Sequence, residues 1–287
     1  MIGREAVIPS ADEVAALRRR HPRLFLPPLR QRLGRWAGWA GFAAFLVYAL
    51  WQLRFFDVAM IAAGFGRLGD VLSFMWPPAH NGNLPDFLKG IGETLAMAFL
   101  GTLGAALLAV PLGFLGAKTV VRAWPIHFLT RRTFDVFRGI SQLIWAMIFI
   151  NVVGLGPFAG ILAIIVGDMA VLAKMFAEAI ENIDQGEVEG VRAAGGGRLA
   201  EIRLGMLPQV VPIMLSQTLY YFESNTRSST ILGFVGAGGI GLQLSDRIRV
   251  NNWDEAGFII ILILITVFLI DTLSRFIRQR FIGVRGG

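Results

Sequence analysis

Two charges stand where an otherwise apolar stretch would cross lipid. Glu223 and Arg227 lie one helical turn apart in ESNTRSST (223–230), directly after the apolar run VVPIMLSQTLYYF. A charge at mid-bilayer costs about 2.5–3.5 kcal/mol on insertion scales, so each needs a partner or a polar surround. Helical spacing puts Ser216, Tyr220, Glu223, Arg227 and Thr230 on one stripe. Three chemistries fit. Glu223 and Arg227 can form an ion pair that locks helix packing. Arg227 and the hydroxyls of Ser228, Ser229 and Thr230 can line a path for a phosphoryl-type oxyanion. The whole segment can also lie at an outer interface. Asp168 is the other deeply placed acid, a candidate to pair with Lys174 or Arg227, either for packing or for gating.

Other motifs point away from catalysis. Gly167 and Asp168 are half of a GxGD aspartyl-protease signature, but Ile165 fills the first glycine position, and no HExxH occurs. His21, His80 and His127 are scattered through loops, and no catalytic set assembles from them. With no cysteine, disulfides, thiolate metal sites and thiol nucleophiles are excluded. GAGGIG (236–241) matches GxGxxG literally, yet no soluble βαβ unit surrounds it, so Gly236, Gly238, Gly239 and Gly241 read as a sharp turn or a re-entrant segment. No GxxxxGK[ST] is present, so this chain is not itself a P-loop ATPase. Gly34 with Gly38 and Gly156 with Gly160 have small-xxx-small spacing.

The elements that must position these residues follow from composition. Of 287 residues, 55% are hydrophobic and 16% charged, and the mean hydropathy is +0.61, which excludes a lone water-soluble core. A span needs about 20 apolar residues to cross roughly 30 Å of hydrocarbon. Six are expected: 36–53, then near 91–117, 139–155, 158–177, 209–233 and 256–274. An all-α polytopic membrane protein is the implied class. A basic arm (1–35) precedes the first anchor (36–53), an external interfacial segment (54–90) ends its helix at Pro77 and Pro78, a core of 91–275 follows, and 276–287 is a tail. With the N-terminus inside, the inner segments hold eight, five, four and four Lys plus Arg against five outside, which sets both termini in the cytoplasm. The net charge of +7 is thus mostly a topology signal and not a nucleic-acid one.

One inner loop has features of its own. Residues 178–208, EAIENIDQGEVEGVRAAGGGRLAEIRLGMLP, alternate acids and bases around three adjacent glycines. They predict one short amphipathic helix ending at Gly195–Gly197 and a second from Arg198 to about Met206, before Pro208. The spacing of Glu189, Gly195, Leu207 and Pro208 resembles the cytoplasmic loop of ABC importer permeases, with Gly190 and Val191 in place of two alanines and Gly205 in place of an isoleucine. VGLGPFAG (153–160), VGAGGIG (235–241) and the basic apolar C-terminal span extend the similarity to the phosphonate-uptake branch over about 84–283.

That resemblance implies a type I importer permease, one of two copies around a central path. The loop would be a coupling helix docked on a separate ATPase, with Glu189, Gly190, Gly195, Gly196, Leu207 and Pro208 at the contact. Gly195 would allow a tight reversal, and Glu189 would meet a partner's base or brace the loop's own amides. The glycines from Gly236 to Gly241 would belong to an outer gate. No cofactor is expected on this chain; ATP and Mg would sit on two cytoplasmic ATPase subunits. An extracytoplasmic binding protein would deliver phosphonate, phosphate or phosphite to an inner-membrane homodimer. A gradient-driven anion transporter is the alternative from another class.

Overall fold

The computed structural model describes residues 29–55, 57–121 and 123–282. Most of the expected basic arm, His21 and the last five residues of the tail lie outside the described residues. The chain divides into two compact units, one ending at Asp70 and the other starting at Val71. The first holds helix α1, Leu29–Gln52, and most of α2, Val58–Phe74. α2 ends at Phe74, short of Pro77 and Pro78.

The second unit holds α3 (Leu84–Gly116), α4 (Trp124–Arg138), α5 (Gln142–Val153), α6 (Pro157–Glu181), α7 (Gln185–Ala193), α8 (Leu207–Leu232), α9 (Gly239–Arg249) and α10 (Trp253–Ile282). Every regular element among the described residues is helical, as the composition implied. Proline opens α3, α4 and α6 within the first two positions, where its missing N–H costs no helical bond.

Four helical stretches are long and apolar enough to cross a membrane: α3, α6, the continuous Arg198–Ala237 and α10. The pair α4 and α5, bent by 82°, makes a fifth if taken as one broken span. The expected anchor at 36–53 does fold as a helix, α1, but it is not among these four stretches. The stretch 118–138, expected as a loop, is instead largely α4. Its apolar and charged residues alternate with helical period, so it forms an elbow that turns sharply at Gly139 into α5.

The core of this unit is the packing of α3 on α6. Gly101, Ala105, Ala109 and Gly113 recur every fourth residue along α3 and bring the two backbones close. A Cβ on Gly101 would stand 2.7 Å from the Ile164 side chain, and one on Gly113 would stand 2.8 Å from Phe176. Of the spacings singled out in the sequence, Gly160 does face Met97 and Ala237, whereas Gly34, Gly38 and Gly156 have nothing within contact distance.

Candidate functional site

The loop between α6 and α8 is built by its own side chains. Asp184 caps α7, accepting from the Gly186 N–H at 2.8 Å, so the helix starts where a helix-favouring run alone would be ambiguous. Gln209 ties both strands of the loop together: its oxygen accepts from the Asp184 N–H at 2.9 Å, and its amide donates to the carbonyls of Asp184 (3.2 Å) and Gly205 (2.8 Å). Across the top, Arg192 grips Glu201 with two bonds, 2.8 and 3.2 Å. That hydrogen bonding first, and the carboxylate charge second, raise the Arg192 pKa above its already high value, so the clasp stays ionised.

The second helix of the loop differs from expectation. A single turn, Arg198–Ala200, passes through a π-helical segment, Glu201–Met206, directly into α8, so Leu207 and Pro208 lie inside one continuous rod and do not start a new one. The wider π turn is where α7 crosses: a Cβ on Gly205 would sit 3.0 Å from the Val188 Cα. Glycine in place of the pattern's isoleucine therefore has a steric cause. Gly195 takes φ +84° in open space, so the backbone angle and not crowding requires glycine there. Crowding applies to Gly196, whose Cβ would lie 2.8 Å from the Val191 carbonyl oxygen. Glu189 and Gly190 are exposed, and Glu189 makes no hydrogen bond to the loop's own amides among the described residues.

Within the bundle, the predicted polar residues separate onto two faces of α8. On the first face, Glu223 accepts from Arg278 of α10 at 2.6 Å, and Arg227 lies 3.5 Å from Asp271 but 4.0 Å from Glu223. The expected intrahelical pair is thus the weakest link of a four-charge ladder to α10. Tyr220 and Arg227 are more than half exposed, with the Arg227 side chain at 54%. On the opposite face Asn225 is 1% exposed and donates to Asp168 at 2.6 Å and to Thr102 at 2.9 Å. Gln142 donates to Asp168 at 2.7 Å and to Asn225 at 3.2 Å. Asp168 therefore pairs with neither Lys174, which binds Asp135 at 2.9 Å, nor Arg227. Ser229 is fully buried, while Ser228 and Thr230 are half-buried, so the three hydroxyls do not converge on Arg227.

The glycines after α8 make a packed turn. Gly236, Gly238 and Gly239 have φ of +107°, +82° and +70°, and α9 starts at Gly239. The N–H of Gly239 donates to Glu93 at 3.1 Å and that of Ile240 to the Thr94 hydroxyl at 2.9 Å, so residues of α3 cap α9. A Cβ on Gly238 would stand 2.8 Å from Pro157, and one on Gly241 would overlap the Thr230 carbonyl oxygen. Among the described residues no group of acids or histidines is placed to hold a metal ion.

A family model described as "Binding-protein-dependent transport system inner membrane component" matches residues 109–282. The chain belongs to this family. Among curated relatives of this inner membrane component, the phosphate-import permease protein PhnE of Mycolicibacterium smegmatis is 36% identical over 89% of the chain and 48% of its own length. The chain thus spans about half the length of that relative. The putative phosphite transport system permease protein HtxC of Stutzerimonas stutzeri is 37% identical over 78% of the chain and 79% of its own length. The fold is shared with a chain of the inward-facing MetNI methionine ABC transporter, at TM-score 0.62 and 23% identity, covering 71% of this chain and 99% of that one.

For this inner membrane component, sequence reasoning missed Thr102, Gln142, Asn225, Asp271 and Arg278. Amides and hydroxyls are common in helices, and only the fold shows that those three converge on Asp168. For Arg278 and Asp271 a signal did exist: two charges in α10 at a spacing of seven lie on one face, matching the two charges of α8.

Proposed function

We propose that this chain is the membrane permease of an ATP-driven importer for a phosphonate or a related phosphorus oxyanion, phosphate or phosphite. The observation that carries the reading is the knob formed by α7 and the π segment. Its inner face is braced on the bundle through Val188, Gln209 and the Arg192–Glu201 clasp, while Glu187, Glu189, Gly190 and the apolar Leu199 and Leu204 stay exposed. A rigid, outward-facing knob continuous with a span is what a coupling element needs: a partner can push it, and the push reaches the membrane. Two copies of the chain pair around a central path, each engaging one ATPase subunit in the cytoplasm, where both termini also lie. The mycobacterial relative, about twice as long as the matched region, supports a working unit of two such halves. The names of the phosphate and phosphite relatives support the substrate class.

The half-exposed Arg227 supports a path along α8. A cation facing lipid at this depth is costly, whereas one facing a watery path between two copies is satisfied and attracts an oxyanion. A binding protein delivers the ligand, ATP binding draws the two knobs together, and hydrolysis resets the pair.

Two variants test this. Gly195→Trp is expected to leave the yield of the permease unchanged and to abolish pull-down of the ATPase; retained pull-down at wild-type yield counts against the knob as the docking point. Arg227→Gln is expected to abolish uptake in proteoliposomes while the complex still assembles and hydrolyses ATP. Uptake at the wild-type rate would remove Arg227 from the path.

A further inference from the structure

The inner face of α7 and the α3–α4 connection enclose a cleft that the transport reading leaves unused. Its volume is about 470 Å3, in the range of small-molecule sites. Lys118, Thr119 and Val120 form one wall; Gln185, Val188 and Arg192 of α7 form another; and Arg198, Glu201, Ile202 and Met206 close it. Gln185, Val188 and Arg192 recur at helical spacing on one side of α7, with Glu187 turned away and Glu189 near enough to act on Arg192, so the cleft opens beside the outward docking face.

Its charge is one-sided. Three cations, Lys118, Arg192 and Arg198, face the single carboxylate of Glu201, which Arg192 already neutralises. Nearby Glu181 is matched by the two-pronged Arg131 and by the Lys118 backbone N–H. Arg198 spends one donor on the Val120 carbonyl at 2.6 Å, which bridges the two walls and leaves its other donors open. The Lys118 ammonium makes no hydrogen bond or ion pair among the described residues. A concave site with two uncompensated cations, Lys118 on one wall and Arg198 on the closing turn, suits a compact, multiply charged oxyanion that can bridge them.

We propose that this cleft binds a small phosphate-type oxyanion, and that the occupant fastens the turn at Arg198 to the α3–α4 connection. The phosphate group comes either from a free small molecule or from an anionic lipid headgroup. The site is separate from the transport path, and its test needs no transport.

The full chain in nanodiscs of phosphatidylcholine is titrated with inorganic phosphate by calorimetry. Saturable binding is expected, weakened at least about tenfold in Lys118→Gln, the size of one lost charge-assisted contact. Lys118→Arg restores it, and Lys89→Gln, at the far end of α3, leaves it unchanged. Repeating the titration in phosphatidylglycerol nanodiscs separates the sources: suppressed binding identifies the lipid headgroup, and unchanged binding a free molecule. Absence of saturable binding in phosphatidylcholine, or a Lys118→Gln variant that binds like the wild type, overturns the proposal. So does cross-linking of Lys118 to the ATPase without phosphate binding, which gives the cleft to a protein partner.

Discussion

Two glycine-rich turns in this chain look alike as text and behave oppositely as structure. At Gly195–Gly197 the turn is exposed, and a side chain at Gly195 or Gly197 would meet nothing within contact distance. At Gly233–Gly241 every glycine is buried, and an added Cβ would strike the backbone of Gly233, Gly238, Gly241 or Thr230, or the side chains of Pro157, Leu155 and Thr94. In the first turn Gly195 supplies a backbone angle, and only Gly196 needs room, against its own helix at Val191. In the second, Gly236, Gly238 and Gly239 supply both at once against other elements. Composition alone cannot separate the two uses, because both need the same residue. A turn open on its outer side can be approached by a partner, while a turn filled by other elements can move only if they move with it.

The comparison makes graded demands. The largest effect is expected for Gly241→Ala, which drives a methyl into the Thr230 carbonyl; a loss of more than about 4 kcal/mol, seen as a missing monodisperse peak in detergent, is the overpacking extreme. Normal yield and melting for that variant would mean the turn is looser than drawn. Gly196→Ala comes next, at about 1–3 kcal/mol, because the Val191 carbonyl stands in the way, and faster hydrogen exchange across α7 reports it. Gly195→Ala has no clash and bears only the left-handed backbone penalty of about 1 kcal/mol, with Gly195→Asn costing less. If Gly195→Ala proved worse than Gly196→Ala, the division between angle and room would fail. Smallest is Gly190→Ala inside α7, where open space and helix propensity predict a gain of up to about 1 kcal/mol and slower exchange.

Much of the bundle was legible because crossing lipid imposes long apolar runs, and the loop was legible because charge cannot stay in lipid. The elbow α4 was hidden by the same rule: its arginines read as a loop, yet the helix points Arg132 and Arg138 outward, turns Arg131 in to Glu181 and buries His127 and Phe134. The α3 glycine ladder was obscured by the chain's 34 glycines, among which chance spacings abound. The junction at Asp168 was least legible. Its members come from α3, α5, α6 and α8, and Thr102 and Asn225 are 123 residues apart. No local pattern links them. Gly167 was the one clue: a side chain there would stand 2.7 Å from Gln142, so glycine admits the amide to the acid.

The unbroken passage from Arg198 through the π segment into α8 puts the exposed loop and the packed glycines at two ends of one rod. At 1.5 Å per residue, the rod extends about 40 Å from the Asn225 level to Arg198 and about 10 Å from Asn225 to Leu232. Along it Asn225 is bonded to three other helices, and nearer Arg198 the buried Val210 and Met214 pack into the core, so a load on either end of the rod is shared with the whole bundle before it reaches the other.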